Sequence, residues 1–264
     1  MRTADDRVPL QRWPRSPRAA KALQEKLRRR LRPTGRLGGV RLVAGADIAY
    51  DAARNLSFAA VLVFTFPDLD PVEAKWARGR IRFPYIPGLL SFREAPALVR
   101  AFRRLRTHPD LLICDGQGIA HPRGIGLASH LGLILGLPTI GCAKSRLIGS
   151  HGPVGRAAGC LTPLLYRGRT VGAVVRSRRG VRPLYVSPGD HIGVADAVRY
   201  VLACCRGFRI PEPVRQADIL VGRLKRADPP AAAARRRPRP AGPSDAMVES
   251  GRGAGHEGIA RSAT

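Results

Sequence analysis

Acidic residues and lysine are scarce in this chain of 264 residues. Asp and Glu number 19 against 46 Lys and Arg, and all but Lys21, Lys26, Lys75, Lys144 and Lys225 among the basic residues are arginine. Long apolar runs are missing as well. None reaches the roughly 18 residues that a membrane-spanning helix needs, which excludes that class. The charged N-terminal stretch has no apolar centre, so no secretion signal is expected and a cytoplasmic location follows. The five cysteines (Cys114, Cys142, Cys160, Cys204, Cys205) are odd in number and form no C-x-x-C pair. That argues against a disulfide framework or a zinc site and for small buried thiols in a reducing compartment. There is no G-x-G-x-x-G dinucleotide fingerprint and no internal repeat.

What is present bounds the rest. Hydrophobic residues make up 44% of the chain, enough for one core of roughly 200 residues. The net charge of +27 fits a polyanionic partner bound through its phosphates. The same excess also follows from a composition rich in Arg, Ala, Gly and Pro. Residues 1–17 read as a flexible segment, 18–226 as the folded domain, and 227–264 as a disordered Ala/Pro/Arg-rich tail.

The coarse pattern is α/β. A helix is expected over 18–31, with a stripe of Ala19, Leu23, Leu27 and Leu31 spaced by four. Strands at 41–49, 57–66 and 72–83 with short links read as an antiparallel meander. Helix 92–106, strand 111–114, helix 125–135 and strand 139–143 follow. Two or three strands come next within 161–187, turning at Arg167–Gly168 and Arg179–Gly180, and helices at 194–205 and 213–225 close the domain. This order implies a mixed central sheet flanked by helices, with Asp47 and Asp115 at strand ends, where open α/β sheets build their sites.

In so basic a chain, carboxylates at the end of apolar strands are informative. Asp47 lies in VAGADIAYD and Asp115 directly follows LLIC. Each either caps a turn, pairs with an arginine, or binds a metal. Ser91 to Glu94 matches the capping box S-x-x-E at a helix start, which accounts for Glu94 structurally. Equally, a carboxylate on that first turn can face the same cleft as Asp47 and Asp115. Three such oxygen donors suit Mg²⁺ or Mn²⁺ rather than zinc. Lys144, past the strand TIGCA, is either a surface lysine or a compact charge for a phosphate. The segment Pro84-Tyr85-Ile86-Pro87-Gly88 holds one aromatic between two prolines. Tyr85 is packed under a turn or is a rigid wedge that opens a base stack. The glycine-rich run 115–126 allows close backbone approach to a base or phosphate, and within it His121 bonds either a ligand or the loop itself.

Taken in order, VAGADIAYD, FPYIPGLLSFREAPAL, LLICDGQGIAHPRGIGLASHLG and LPTIGCAKSRLIG resemble the endonuclease V family, and EPVRQADIL at 212–220 extends the likeness more weakly. The resemblance implies a ribonuclease-H-like sheet and hydrolysis of the second phosphodiester bond on the 3′ side of a deaminated base such as deoxyinosine. It places metal-binding carboxylates on Asp47 and Asp115, the catalytic glutamate on Glu94 and the catalytic lysine on Lys144. The wedge falls on Tyr85, flanked by Pro84, Ile86 and Pro87. The base pocket falls on Gly88, Leu90, Gly116, Gly118 and His121, and a further metal-site candidate on Asp218. The implied cofactor is Mg²⁺, with Mn²⁺ as substitute, and the implied partner is DNA bearing deaminated bases, acted on by a monomer. The likeness breaks at Ser187-Pro188-Gly189-Asp190-His191, where Asp190 stands as an insertion. Two other readings remain open at this level. One is a ribonuclease for inosine in RNA. The other is a basic binding module without catalysis, against which the intact Asp47, Glu94, Asp115 and Lys144 argue.

Overall fold

The computed structural model describes residues 13–228. Five helices and eight strands follow one another in the order α1 (Pro17–Arg28), β1 (Leu42–Asp51), β2 (Leu56–Thr65), β3 (Pro71–Arg80), α2 (Leu90–Phe102), β4 (Leu111–Cys114), α3 (Leu127–Leu135), β5 (Thr139–Ala143), β6 (Leu161–Tyr166), β7 (Arg169–Val175), β8 (Leu184–Asp190), α4 (Val194–Ala203) and α5 (Glu212–Ala227). All strands join one sheet in the order β3-β2-β1-β4-β5-β8-β7-β6. The meander β1–β3 is antiparallel, β1, β4 and β5 run parallel, and the remaining pairs are antiparallel. No helix of the described residues is long and apolar enough to cross a membrane.

Alternation along the strands sorts the two faces. Ala44, Ala46 and Leu112 pack with α2 and α3, while Val43, Leu111, Ile113 and Ile140 pack with α4 and Val214 of α5. Buried on both sides, the central strands are continuously apolar, as parallel strands must be. Gly45 lets α5 lie directly on β1, since a Cβ there would meet the Pro213 backbone at 2.1 Å.

The helix boundaries depart from expectation in instructive ways. In α1 the buried face is Ala20, Gln24 and Leu27, one position round from the predicted stripe; Ala19 is exposed and Leu31 lies beyond the helix. A polar residue, Gln24, therefore sits inside. Trp13 packs on the Phe83–Phe92 cluster, so the folded domain reaches back before residue 18. At the other end α5 runs through Ala227, and Asp228 pairs with Arg54 at 2.8 Å. The domain thus includes 227 and 228, while the rest of the expected tail and residues 1–12 lie outside the described residues. The break at 187–191 is a bulge. Thr139 pairs with Asp190 and Ile140 with Pro188, which leaves Gly189 out of register. Asp190 is fully buried and accepts a 2.7 Å hydrogen bond from the Arg32 amide, tying the segment after α1 to the sheet. Half-exposed His191 has Nδ1 3.1 Å from Asp190 Oδ2 and takes no part in the cleft described next.

Candidate active site

The parallel pairing of β1 and β4 ends at Ala46 opposite Cys114. Asp47 and Asp115 each lie one residue further, so two carboxylates leave adjacent strand ends side by side. Asp115 stays in register through its amide, which donates to the Ala46 carbonyl at 3.3 Å. Both stand at the parity of Val43 and Ile113, on the face covered by α5. That helix brings the exposed Asp218 near enough for its carboxyl to act on that of Asp47. Burial, then the charge of Asp115, push the Asp47 carboxyl up to about 7.

Glu94 arrives from the opposite face on α2. The capping-box expectation for it fails. The helix begins at Leu90 with no side-chain cap, so Ser91 is already inside the first turn. Its hydroxyl is instead hydrogen-bonded to His130 Nδ1 at 3.1 Å. Glu94 points to the sheet, only 6% exposed, and accepts a 3.0 Å hydrogen bond from the Tyr50 hydroxyl. Burial pushes its carboxyl up to about 8, and Asp47 and Asp115 add to the rise. Tyr50 itself is raised by burial and by Glu94.

Lys144 follows β5 and reaches back across the β4 end. Its Nζ lies 2.5 Å from Asp115 Oδ2. Burial alone would lower its pKa, but the contact with Asp115 outweighs this and holds it above the ordinary lysine value. Lys144 is thus both solvent-exposed and paired with a carboxylate of the cleft.

Asp47, Glu94, Asp115 and Lys144 line one cleft of about 460 Å³. Tyr85, Ile86, Pro87, Gly88 and Leu90 form one wall, Gly116, Gln117 and His121 another, and Lys144 to Leu147 a third. Tyr85 is 68% exposed, so it stands out at the mouth and is not packed under its turn. Two expected contact residues sit elsewhere. Pro84 is exposed but does not line the cleft. Gly118 packs on β8, where its amide donates to Ser187 Oγ at 2.8 Å and a Cβ would meet the Pro188 carbonyl oxygen at 1.9 Å. Asp218 helps to raise the Asp47 carboxyl without lining the cleft. As the side chains stand, no three His, Cys, Asp or Glu residues among those described are close enough to hold an ion together.

His121 bonds its own loops. Its Nδ1 accepts from the Arg123 amide at 3.2 Å, which leaves Nε2 to donate to the Gly88 carbonyl at 3.0 Å. Burial lowers its pKa to about 4, with Arg123 adding to the effect, so it is a neutral strut. Sequence reasoning passed over the other donors to that carbonyl. Arg123 Nη2 reaches it at 2.5 Å and Gln24 Nε2 at 3.1 Å, while Gln24 Oε1 accepts from Arg123 Nε at 2.5 Å. It also missed Tyr50. The available signal was weak in each case: a glutamine within a helix stripe, and a tyrosine three positions past a strand-end aspartate.

Residues 21–219 match the sequence profile of the endonuclease V family. Endonuclease V of Roseiflexus sp. (strain RS-1) is 49% identical over 216 residues, covering 81% of this chain and 96% of that protein. The crystal structure of endonuclease V from Streptomyces avermitilis superposes with a TM-score of 0.77 at 42% identity, over 81% of this chain and 95% of that one. A Ciona intestinalis endonuclease V, solved with a 24mer DNA containing an inosine followed by a ribo-adenosine, shares the fold at a TM-score of 0.70 and 24% identity, over 80% and 98% of the two chains. A match running from α1 to the acidic position of α5, at nearly half identity, leaves one assignment: this chain belongs to the endonuclease V family and is a hydrolytic nuclease.

Proposed function

We propose that this chain is a DNA repair endonuclease that cuts the second phosphodiester bond 3′ to deoxyinosine and related deaminated bases, using Mg²⁺, or Mn²⁺ in its place, and acting as a monomer. The observation that carries the reading is the cleft itself. Clustered carboxylates share a concavity with one lysine and an exposed aromatic held on a stiff loop. The Ciona relative was solved on inosine-containing DNA, which supports the lesion class.

The donor chemistry fits a hard divalent cation: carboxylate oxygens only, no thiol or imidazole, and negative charge that burial makes unfavourable in its absence. Asp47 and Asp115 would hold the ion, with Glu94 and Asp218 beside them. Bound there, it would supply charge to offset the phosphate and lower the pKa of a water. The chain's own groups do the rest. Glu94, once ionised, accepts a proton from the attacking water. Lys144, steered by Asp115, sets its ammonium against a phosphate oxygen. Tyr85 fills the step from which the altered base is extruded, and the Gly88–Leu90 and Gly116 backbones line the pocket that receives it.

A nicking assay on a duplex with one deoxyinosine tests this. Cutting is expected in Mg²⁺ and none with chelator, and matched oligonucleotides with inosine in RNA measure the preference between sugars. Asp115→Ala abolishes cutting and spares binding; full activity in that variant removes the metal-site assignment.

A further inference from the structure

A second cavity, of about 520 Å³, shares His121 with the catalytic cleft. Its walls are Arg28 at the end of α1, Pro122 in the loop after β4, and Tyr166, Arg167 and Arg169 of the β6–β7 hairpin. The hairpin is tight. Tyr166 pairs with Arg169 across Arg167 and Gly168, which have φ of 51° and 72°. Two positive φ values in a two-residue loop make a type I′ turn, a rigid tip that fixes where its side chains project. The Arg167 guanidinium lies 5.2 Å from the Tyr166 ring centroid.

The charge around this cavity is uncompensated. No acidic residue lines it. Elsewhere Arg54, Arg199 and Arg215 find carboxylates at 2.6–2.9 Å. The guanidiniums of Arg28, Arg167 and Arg169 have no ion pair among the described residues. Three like charges gathered round one concavity repel each other and favour an anion between them. The planar face of Tyr166 beside them suits a base. Guanidiniums for phosphate and an aromatic face for a base are together the recognition set for a nucleotide in a strand.

We infer that this cavity is a second nucleic-acid subsite, holding a nucleotide of the same strand whose lesion occupies the catalytic cleft, with His121 and Pro122 as the wall between the two. The inference rests on the nuclease reading above. A strand leaving the cleft on the His121 side enters the second cavity, where Arg28, Arg167 and Arg169 engage its phosphates and Tyr166 stacks on a base. The subsite adds affinity without touching the reacting phosphate, so it acts on long substrates and leaves short ones unaffected.

The test uses the full chain and single-stranded deoxyinosine oligonucleotides of 6 and 24 nucleotides, the lesion at the centre of each. Binding is measured by anisotropy with chelator over a range of salt, and nicking in Mg²⁺. Arg167→Ala with Arg169→Ala weakens 24-mer binding about tenfold and flattens its salt dependence by about one to two phosphate contacts. Binding of the 6-mer and kcat at saturation stay unchanged. Arg28→Ala, on the opposite wall, gives the same selective loss and removes dependence on an intact hairpin. Unchanged 24-mer affinity and salt slope in both variants overturns the subsite, as does an equal loss on both lengths. If the parent protein cuts neither oligonucleotide but the variants still show the length-selective loss of binding, the nuclease reading fails and the subsite stands.

Discussion

The Tyr50 hydroxyl stands 3.0 Å from Glu94 Oε1 and joins the last rungs of β1 to the first turns of α2. Tyr50 is three residues beyond Asp47, so strand alternation turns it to the α2 face while Asp47 turns to α5. Through this bond one strand controls two carboxylates on opposite faces of the sheet. The bond favours ionised Glu94 against burial, which pushes the carboxyl up to about 8. Tyr50→Phe removes a hydrogen bond to a charged group, an effect of about 1.5–3 kcal/mol. The Glu94 pKa then rises further, so at neutral pH less of the enzyme holds the ionised form. The kcat for nicking is expected to fall about tenfold near pH 7 and to recover as pH rises. A pH profile matching the parent would show that Tyr50 does not act through Glu94.

Asp47 and Glu94 also set how metal and pH act on stability. Their folded pKa values, about 7 and about 8, lie above the ordinary carboxylate range. The native state therefore holds protons that the unfolded chain has lost, and metal-free stability falls as pH climbs from about 4 to about 8. A divalent cation binds the ionised carboxylates, so its stabilisation grows over the same window. Millimolar Mg²⁺ should raise Tm by roughly 5 °C at pH 8 and by almost nothing at pH 5. Asp47→Asn combined with Asp115→Asn should abolish the difference. Thermal melts at the two pH values, with Mg²⁺ or chelator, decide it; an equal shift at both would argue against these carboxylates as the binding site.

The sequence exposed the sheet and the strand-end aspartates because both follow from patterns that tertiary contacts do not override. The apolar runs of β1, β4 and β5 demand burial on two faces, and the carboxylates that follow the apolar runs of β1 and β4, Asp47 and Asp115, have no place but the strand ends. Register was not legible. That Asp47 and Asp115 are neighbours depends on β1 pairing with β4 across α2, a contact no local pattern encodes. Local rules misled where tertiary geometry won. Ser91 and Glu94 satisfy a capping box, yet the helix starts two residues earlier than that box requires and buries both. Gln24 was hidden because its burial depends on Arg123 and Gly88, far off in the chain. Gly118 looked like a ligand-facing glycine, but its missing side chain accommodates the Pro188 carbonyl.

The Gly88 carbonyl makes a prediction about specificity. His121, Arg123 and Gln24 all donate to it, so α1, the loop after β4 and the Tyr85 loop are locked at one atom. None of the three donor groups is among the groups proposed to attack phosphate. Arg123→Ala leaves Gln24 Oε1 buried and unpaired and frees the wall that carries Tyr85 and Gly88. The expected result is about a tenfold drop in the ratio of kcat/KM for deoxyinosine over undamaged DNA, carried mostly by KM. Gln24→Ala should reproduce it from the α1 side. Equal losses on damaged and undamaged DNA would mean the clamp serves folding alone.

His130 supplies a pH effect of opposite sign. Its ring is fully buried, 5.2 Å edge-on from Phe92 and 5.6 Å from Trp13. Burial lowers its pKa to about 4. Between about 6.5 and about 4 the unfolded chain binds a proton that the native state refuses, so this group's contribution to stability is lost as pH falls through that window. The full effect is about 3 kcal/mol on the scale of 1.4 kcal/mol per pKa unit. His130→Phe keeps an aromatic ring in the cluster but deprives the Ser91 hydroxyl of its 3.1 Å partner, at about 1 kcal/mol. The variant should therefore be less stable than the parent at pH 8 and at least as stable at pH 4.5. Asp47 and Glu94 titrate alike in both proteins, so the difference between their denaturant midpoints, measured with chelator, isolates His130. A constant difference across that range would mean that the imidazole finds a way to accept its proton inside the fold.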